Sequence, residues 1–346
     1  MPASVACYAL TRRGLALARR LVAGLNADLY APQRLCAEGG ARPFDSLPTL
    51  VAETFARYRG HVFVAAAGIA VRCVAPHLRG KGADPGVVCL DQEGRFAVSL
   101  LSGHLGGGND LARRCAAVSG GQVVITTATD TAGAPSLDLL AVERGLAIGN
   151  LDRVKAVNGA LLDGRPVQIF DPEGWLDADG EPWASAVADP ASWRPGEPGV
   201  WVSVRDDCPD PDALRLHPRA LMLGVGCRRD TGADEIFGHI KGVLRERGFS
   251  LQAVGGLGSA EVKADEPGLL EAAARLGVTP VFFGRGRLGP VAVPNPSETV
   301  RRRMGVGSVA EAAALLLAGG GELLVEKTKS ETVTLAVAGK KGPNRC

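Results

Sequence analysis

Residues 4–25, "SVACYALTRRGLALARRLVAGL", decide the fold class. After Ser4 the stretch "SVACYAL" is continuously apolar rather than alternating, the pattern of a strand buried on both faces. From Gly14 the period changes: Leu15, Ala18, Leu21, Val22 and Leu25 recur every three or four residues, so Gly14–Leu25 predicts a helix with one apolar face. A doubly buried strand feeding directly into an amphipathic helix is the repeating unit of an α/β sheet covered on both sides.

The unit recurs outward from this stretch. "HVFVAAAG" (61–68) reads as a second buried strand, and "GVVCLD" (86–91) and "RFAVSLL" (95–101) flank Gln92-Glu93-Gly94 as a hairpin turn. Asn109 or Asp110 is expected to cap a helix running to about Val118, and "QVVITTATD" (122–130) to return as a strand. This gives an N-terminal α/β domain over 1–135. The texture changes between about 133 and 219, where a Pro-rich segment holds Trp175, Trp183 and Trp193. Apolar runs recur there in "LLDGRPVQIF" and "VWVSVR", so a small middle unit over 136–219 is expected rather than disorder. A second α/β pattern opens at "LMLGVGCRRDTGADEIFGHIKGVLRERG" (221–248), with Ile236, Ile240, Val243 and Leu244 inward, and continues through "PVFFG", "SVAEAAALLLAGG", "ELLVEK" and "TVTLAVA" to about 340. The fold class predicted is α/β: two three-layer α/β/α domains joined by a smaller, Pro/Trp-rich middle region.

Composition narrows the functional classes. Of 346 residues 46% are hydrophobic and 22% charged, a globular mixture, and only 5% are aromatic, so the cores must be built from Ala, Val and Leu. A net charge of +2 argues against a dedicated nucleic-acid binder, which carries a strongly basic face. The densest basic cluster, Arg301-Arg302-Arg303, fits a solvated helix end as well as a carboxylate-binding patch. Eight cysteines are scattered without a CxxC pair and read as free thiols. Cys73 and His77 stand four apart, but Pro76 breaks the helix that a metal pair would need. The first residues place their apolar run before their arginines, the reverse of a secretory signal. The longest apolar stretch, Val62–Val71, is half of the roughly 20 residues a membrane span requires, so a cytoplasmic protein without a membrane partner is expected.

Three segments carry candidate chemistry. In "LLSGHLGGGND" (100–110), His104 stands between Ser102-Gly103 and Gly106-Gly107-Gly108. Glycines can bare backbone N–H groups beside the following helix N-terminus, which suits an oxyanion, and a histidine there can move protons near neutral pH. A Gly-rich turn with an idle histidine accounts for the same letters. In "GVGCRRDTGADE" (224–235) the third glycine of a dinucleotide fingerprint is missing; a turn bearing Arg228 and Arg229 suits an anion, while Thr231 can simply cap a helix and Cys227 reads as a packed thiol. "GSAEVKADEPGLLEAA" (258–273) puts Lys263 and Glu266 before a helix, a capping arrangement or a ligand-facing edge.

Read in order, "AAAGIAVR", "KGADPGVVCLDQEGRF", "LLSGHLGGGNDLA" and "TTATD" resemble the N-terminal domain of the cobalt-precorrin-5A hydrolase (CbiG-type) family of anaerobic cobalamin biosynthesis. "LGVGCRRDTGADEI", "GSAEVKADEPGLLEAA" and "GVGSVAEAAALLLAGG" resemble that family's C-terminal domain, which also occurs alone as a partner protein; residues 138–219 match only loosely. Gly108 stands where the family more often has alanine. The resemblance implies a hydrolase that opens the ring-A δ-lactone of cobalt-precorrin-5A and releases acetaldehyde, giving cobalt-precorrin-5B. Cobalt arrives with the substrate, so no cofactor or protein-bound metal is expected. Lactone opening needs a base and donors for the developing oxyanion. His104 is therefore expected as the base, oriented by Asp110 or Asn109, with Gly106–Gly108 supplying donors and Ser102 and Gly103 completing the turn. The substrate's acetate and propionate groups call for cations, and Arg72, Arg79, Lys81, Arg228, Arg229 and Lys263 are the candidates. Neighbouring cobalt-precorrin methyltransferases are expected partners, and an oligomer is compatible with the sequence. The rival reading is a non-catalytic tetrapyrrole-binding or hand-over protein; the intact "SGHLGGGND" turn favours the enzyme.

Overall fold

The computed structural model describes residues 4–36, 39–80, 82–128, 135–298, 301–302 and 305–343. The chain divides into two units, Met1–Leu139 and Leu140–Cys346.

In the first unit, β1 (Val5–Ala9) runs into α1 (Arg12–Leu25), as the opening stretch requires. Thr11 caps the helix by accepting from the Gly14 N–H at 3.0 Å. The strands β2 (Ala27–Pro32), β3 (Arg42–Phe44), β4 (Gly60–Val64), β5 (Gly86–Leu90), β6 (Phe96–Leu101) and β7 (Gln122–Val124) complete a seven-stranded sheet in the order β3-β2-β1-β4-β5-β6-β7. All neighbours are parallel except β5 and β6, the expected hairpin. Alternate residues of β1 face opposite cores. Val5, Cys7 and Ala9 join Leu15, Ala18 and Leu21 of α1 and Leu111, Ala112 and Cys115 of α4 (Gly108–Ser119). Ala6 and Tyr8 meet Leu47 and Val51 of α2 (Leu47–Thr54) and Ala70, Cys73 and Val74 of α3 (Ala67–Val74). This is the three-layer sandwich the sequence predicts.

Because β6 runs against β5, its end at Leu101 lies beside the start of β5, where Val87 pairs with Leu101. The turn after β6 therefore sits at the edge where β1, β4 and β5 begin. The strand β7 is parallel to β6, so the chain leaving Val124 heads for the same edge. It is shorter than the predicted 122–130: Ile125, Thr126 and Thr127 are already irregular, and Asp130 lies outside the described residues.

The second unit holds two five-stranded sheets. The first is built from β8 (Leu146–Ile148), β9 (Val167–Phe170), β10 (Ala184–Ala186), β11 (Gly199–Val202) and β12 (Leu214–Pro218), in the order β10-β9-β11-β12-β8. The helices α5 (Leu137–Glu143) and α6 (Leu151–Leu162) flank β8 in sequence. Trp193 and Trp201 are buried with Phe170, the two indole rings 5.2 Å apart at 77°, so the Trp-rich segment supplies a core. The second sheet consists of β13 (Leu221–Cys227), β14 (Val254–Ala260), β15 (Pro280–Phe283), β16 (Glu322–Lys329) and β17 (Val333–Gly339), ordered β15-β14-β13-β17-β16. On one face lie α7 (Ala233–Glu246) and α8 (Pro267–Arg275), burying Ile236, Ile240, Val243 and Leu244 as predicted. On the other lies α10 (Val309–Ala318), after the single-turn α9 (Arg285–Leu288). No helix among the described residues is long and apolar enough to cross a membrane.

Candidate active site

The turn at 102–108 is held by its own backbone. Gly107 N–H donates to His104 O at 2.8 Å, Gly108 N–H to Ser102 O at 2.9 Å, and Asn109 N–H to Gly103 O at 2.9 Å. Ser102 (φ 51°) and Gly107 (φ 74°) take left-handed backbone, and Gly107 is the N-cap of α4. The helix thus starts at Gly108, one residue before the expected caps. The other glycines are dictated by crowding. A Cβ on Gly103 would stand 2.6 Å from Asn109 Oδ1, on Gly106 2.7 Å from Asp84 O, and on Gly108 2.5 Å from Leu101 O.

These bonds correct the expected donor set. The Gly107 and Gly108 N–H groups are occupied inside the turn, so Gly106–Gly108 do not present three donors to a ligand. Among the described residues, the N–H groups of Leu105 and Gly106 meet no acceptor. Both residues border a pocket of about 700 Å³.

His104 is brought to a carboxylate that sequence reasoning missed. Its Nδ1 lies 2.9 Å from Ser136 Oγ and 3.4 Å from Asp138 Oδ2, and Ser136 Oγ donates to Asp138 Oδ1 at 2.5 Å. Ser136 and Asp138 are each only 7% exposed. The bonds fix the imidazole tautomer. A hydroxyl has one proton, and here it goes to the carboxylate, which can only accept. Ser136 Oγ must then accept from His104, so Nδ1 carries the proton and the lone pair lies on Nε2. The orienting residue is therefore not Asp110 or Asn109. Asp110 is exposed on α4, 3.9 Å from Arg114, and Asn109 is buried with its Nδ2 donating to Thr127 Oγ1 at 3.0 Å. The one sequence signal for Asp138 was its place as the first acid after the "TTATD" run, too far along the chain to single out.

The cation candidates separate. Arg79 borders the 700 Å³ pocket, whereas Arg72 is exposed on α3 and donates to Gly68 O of its own helix at 3.2 Å. Lys81 lies outside the described residues. In the second unit, Arg229 and Lys263 converge on Glu266, which is fully buried: Lys263 Nζ donates to its Oε2 at 3.0 Å, Asp230 N–H to its Oε1 at 2.6 Å, and Arg229 Nη1 stands 3.7 Å away. Burial alone would push this carboxyl up, but Lys263 and the Asp230 N–H hold it below the usual range. Arg228 and Lys263 line a second pocket of about 510 Å³ at the ends of β13 and β14. Cys227 is a packed thiol, pushed up by burial with only partial compensation from Lys263. Thr231 does not cap α7; its hydroxyl donates to Arg228 O at 2.9 Å, and Gly232 is the N-cap. Among the described residues no group of three His, Cys, Asp or Glu side chains is placed to hold a metal ion.

Comparison with known proteins bears on all three sheets. Residues 49–130 match the family described as "Cobalamin synthesis G N-terminal", 135–218 "Cobalamin biosynthesis central region" and 221–338 "Cobalamin synthesis G C-terminus". The chain is 35% identical to the cobalt-precorrin-5A hydrolase of Salmonella typhimurium, over 97% of this chain and 98% of that one. It is 31% identical to the cobalt-precorrin-5A hydrolase of Priestia megaterium, over 96% and 94% respectively. Protein CobE of a Sinorhizobium species matches 34% of this chain at 36% identity, over 79% of its own length.

Proposed function

The chain belongs to the CbiG family of cobalamin-synthesis hydrolases, and from that premise we propose that His104 is the general base with which it opens cobalt-precorrin-5A. The protein is an enzyme of cobalamin biosynthesis, a cobalt-precorrin-5A hydrolase; in the reaction proposed for it, water opens the ring-A δ-lactone, acetaldehyde leaves, and cobalt-precorrin-5B is the product. The observation that carries the role of His104 is the Asp138–Ser136–His104 chain of hydrogen bonds on the glycine turn.

The steps follow from that arrangement. His104 Nε2 takes a proton from the attacking water, and Asp138 stabilises the imidazolium that forms. The lactone's carbonyl oxygen becomes negative as the tetrahedral intermediate forms, and the Leu105 and Gly106 N–H groups are the donors that meet it. Collapse breaks the ring C–O bond, and the imidazolium returns its proton to the leaving alkoxide. Deprotonation of the resulting hydroxyl then lets the C–C bond break, releasing acetaldehyde while the macrocycle takes up the electron pair. The same imidazole can serve that second deprotonation.

Cobalt is part of the substrate in this scheme, so a chelator in the assay leaves turnover unchanged. All seven described cysteines are free thiols, in keeping with a reducing, cytoplasmic setting. The test is anaerobic incubation of the protein with cobalt-precorrin-5A, reading acetaldehyde for wild type and His104→Ala. Acetaldehyde from wild type and a loss of at least roughly 100-fold in the variant is expected, since a positioned general base is worth roughly 10²–10⁴. Full turnover by His104→Ala would move the base elsewhere. Tight corrinoid binding by wild type without acetaldehyde would instead make the protein a carrier.

A further inference from the structure

The 700 Å³ pocket beside the glycine turn is bordered by three arginines, Arg59, Arg79 and Arg114, on three different segments. Their backbones are pinned. Arg59 N–H donates to Ser4 O at 2.9 Å and its carbonyl accepts from Gly86 N–H at 3.2 Å. Arg79 N–H donates to Asp84 Oδ1 at 2.8 Å, and Arg114 lies on α4. Two carboxylates share the pocket and offset part of this charge, but neither pairs with the side chain of Arg59 or Arg79. Asp84 is buried, with Oδ1 and Oδ2 taken by the Arg79 and Gly80 N–H groups. Asp110 is spent on Arg114, at 3.9 Å. Among the described residues the side chains of Arg59 and Arg79 make no hydrogen bond or ion pair. Three guanidinium groups against two carboxylates leave the concavity net positive, and the two arginine side chains without an ion-pair partner favour an anionic ligand. Guanidinium forks match carboxylates bidentately.

We propose that this pocket is the anchor for carboxylate arms of the substrate, with Arg59 and Arg79 as its principal cations and the Gly106–Gly107 backbone as the wall it shares with the catalytic turn. The proposal rests on the reading of the protein as a cobalt-precorrin-5A hydrolase. It divides the turn's work: His104 serves the lactone, while the arms around the macrocycle's rim are gripped on the pocket side. Arg59 and Arg114 were not singled out in the sequence because isolated arginines there carry no pattern.

Two measurements test it. Steady-state acetaldehyde release by Arg59→Ala, Arg79→Ala and the double variant is expected to show KM raised about tenfold per arginine with kcat within about threefold of wild type, the size of one charge-assisted hydrogen bond near solvent. Equilibrium binding of a cobalt corrinoid with free carboxylates is compared with that of the same corrinoid fully methyl-esterified. Wild type is expected to prefer the free acid, and the double variant to lose that preference. Unchanged KM together with an undiminished preference for the acid in the double variant would overturn the proposal. Absence of turnover in wild type with the arginine-dependent preference retained would defeat the hydrolase reading while leaving a carboxylate site. Both backbone anchors survive side-chain truncation, so the variants are expected to keep the wild-type circular dichroism spectrum.

Discussion

Asp138→Asn removes one negative charge and little else. The new amide's oxygen can still accept the Ser136 proton, which puts its NH₂ group where Asp138 Oδ2 stood, facing His104 Nδ1. A donor at that position opposes the Nδ1–H that Ser136 Oγ accepts and shifts the balance towards the tautomer protonated on Nε2, the atom needed as base. The charge itself matters in the transition state. An imidazolium 3.4 Å from a carboxylate gains about 5 kcal/mol by Coulomb's law at an effective dielectric constant of about 20. At about 1.4 kcal/mol per decade this is a rate factor of roughly 10³ to 10⁴. Acetaldehyde release by Asp138→Asn is therefore expected to fall roughly 10³-fold in kcat with KM nearly unchanged, because Asp138 acts through His104 and does not touch the substrate. Asp138→Glu, which restores the charge at a displaced position, is expected to recover part of the loss; a purely structural carboxylate would not give that ordering with KM constant. Turnover by Asp138→Asn within about threefold of wild type would refute both the orientation and the base.

The remaining predictions concern stability. His61 is fully buried in the first unit, with Nδ1 3.0 Å from Tyr8 OH and Nε2 3.2 Å from Phe55 O; burial pushes it down to about 4, the Phe55 bond offsetting only part. The unfolded chain takes up this proton near pH 6.5 and the fold not until about 4, so the stabilisation is complete above about 6.5 and lost as pH falls towards 4, about 3 kcal/mol in all at about 1.4 kcal/mol per pH unit. Urea midpoints of His61→Gln are expected to be flatter over that range by this amount, and an unchanged slope would exclude His61 as the source. Glu266→Gln removes the counter-charge of Lys263, whose side chain is 16% exposed, and is expected to cost about 2–3 kcal/mol, below the roughly 3–5 of a fully buried pair. Its unfolding midpoint should fall while kcat for acetaldehyde release holds; the reverse pattern would make this cluster part of the active site.

Strand and helix periods were legible because each residue reports its own face: the switch from continuous to three-and-four spacing at Gly14 marks the passage from β1 into α1. The Pro- and Trp-rich stretch was harder, because its sheet joins short strands from distant segments, such as β8 antiparallel to β12. The glycine turn was legible as a candidate site, but its partners were not. Asp138 reaches His104 only because β6 reverses against β5 and β7 returns to the same edge, a consequence of sheet order rather than of any local pattern. Asp110, close by in sequence, was the natural choice, and it fails because the helix starting at Gly108 turns it outward.

The glycines themselves have a different cause from the one their letters suggest. A flexible, ligand-gripping loop would leave its N–H groups open, yet those of Gly107 and Gly108 close the turn on itself, and Gly106 is pressed against Asp84 O with no room for a Cβ. Asp84 is in turn fixed by the Arg79 and Gly80 N–H groups. The glycines therefore make the turn stiff. Stiffness is what the proposed chemistry needs, since donors that must reorganise as the oxyanion forms lose much of their advantage. The same packing that excludes side chains from Gly103, Gly106 and Gly108 holds the Leu105 and Gly106 N–H groups and the imidazole of His104 in one fixed frame.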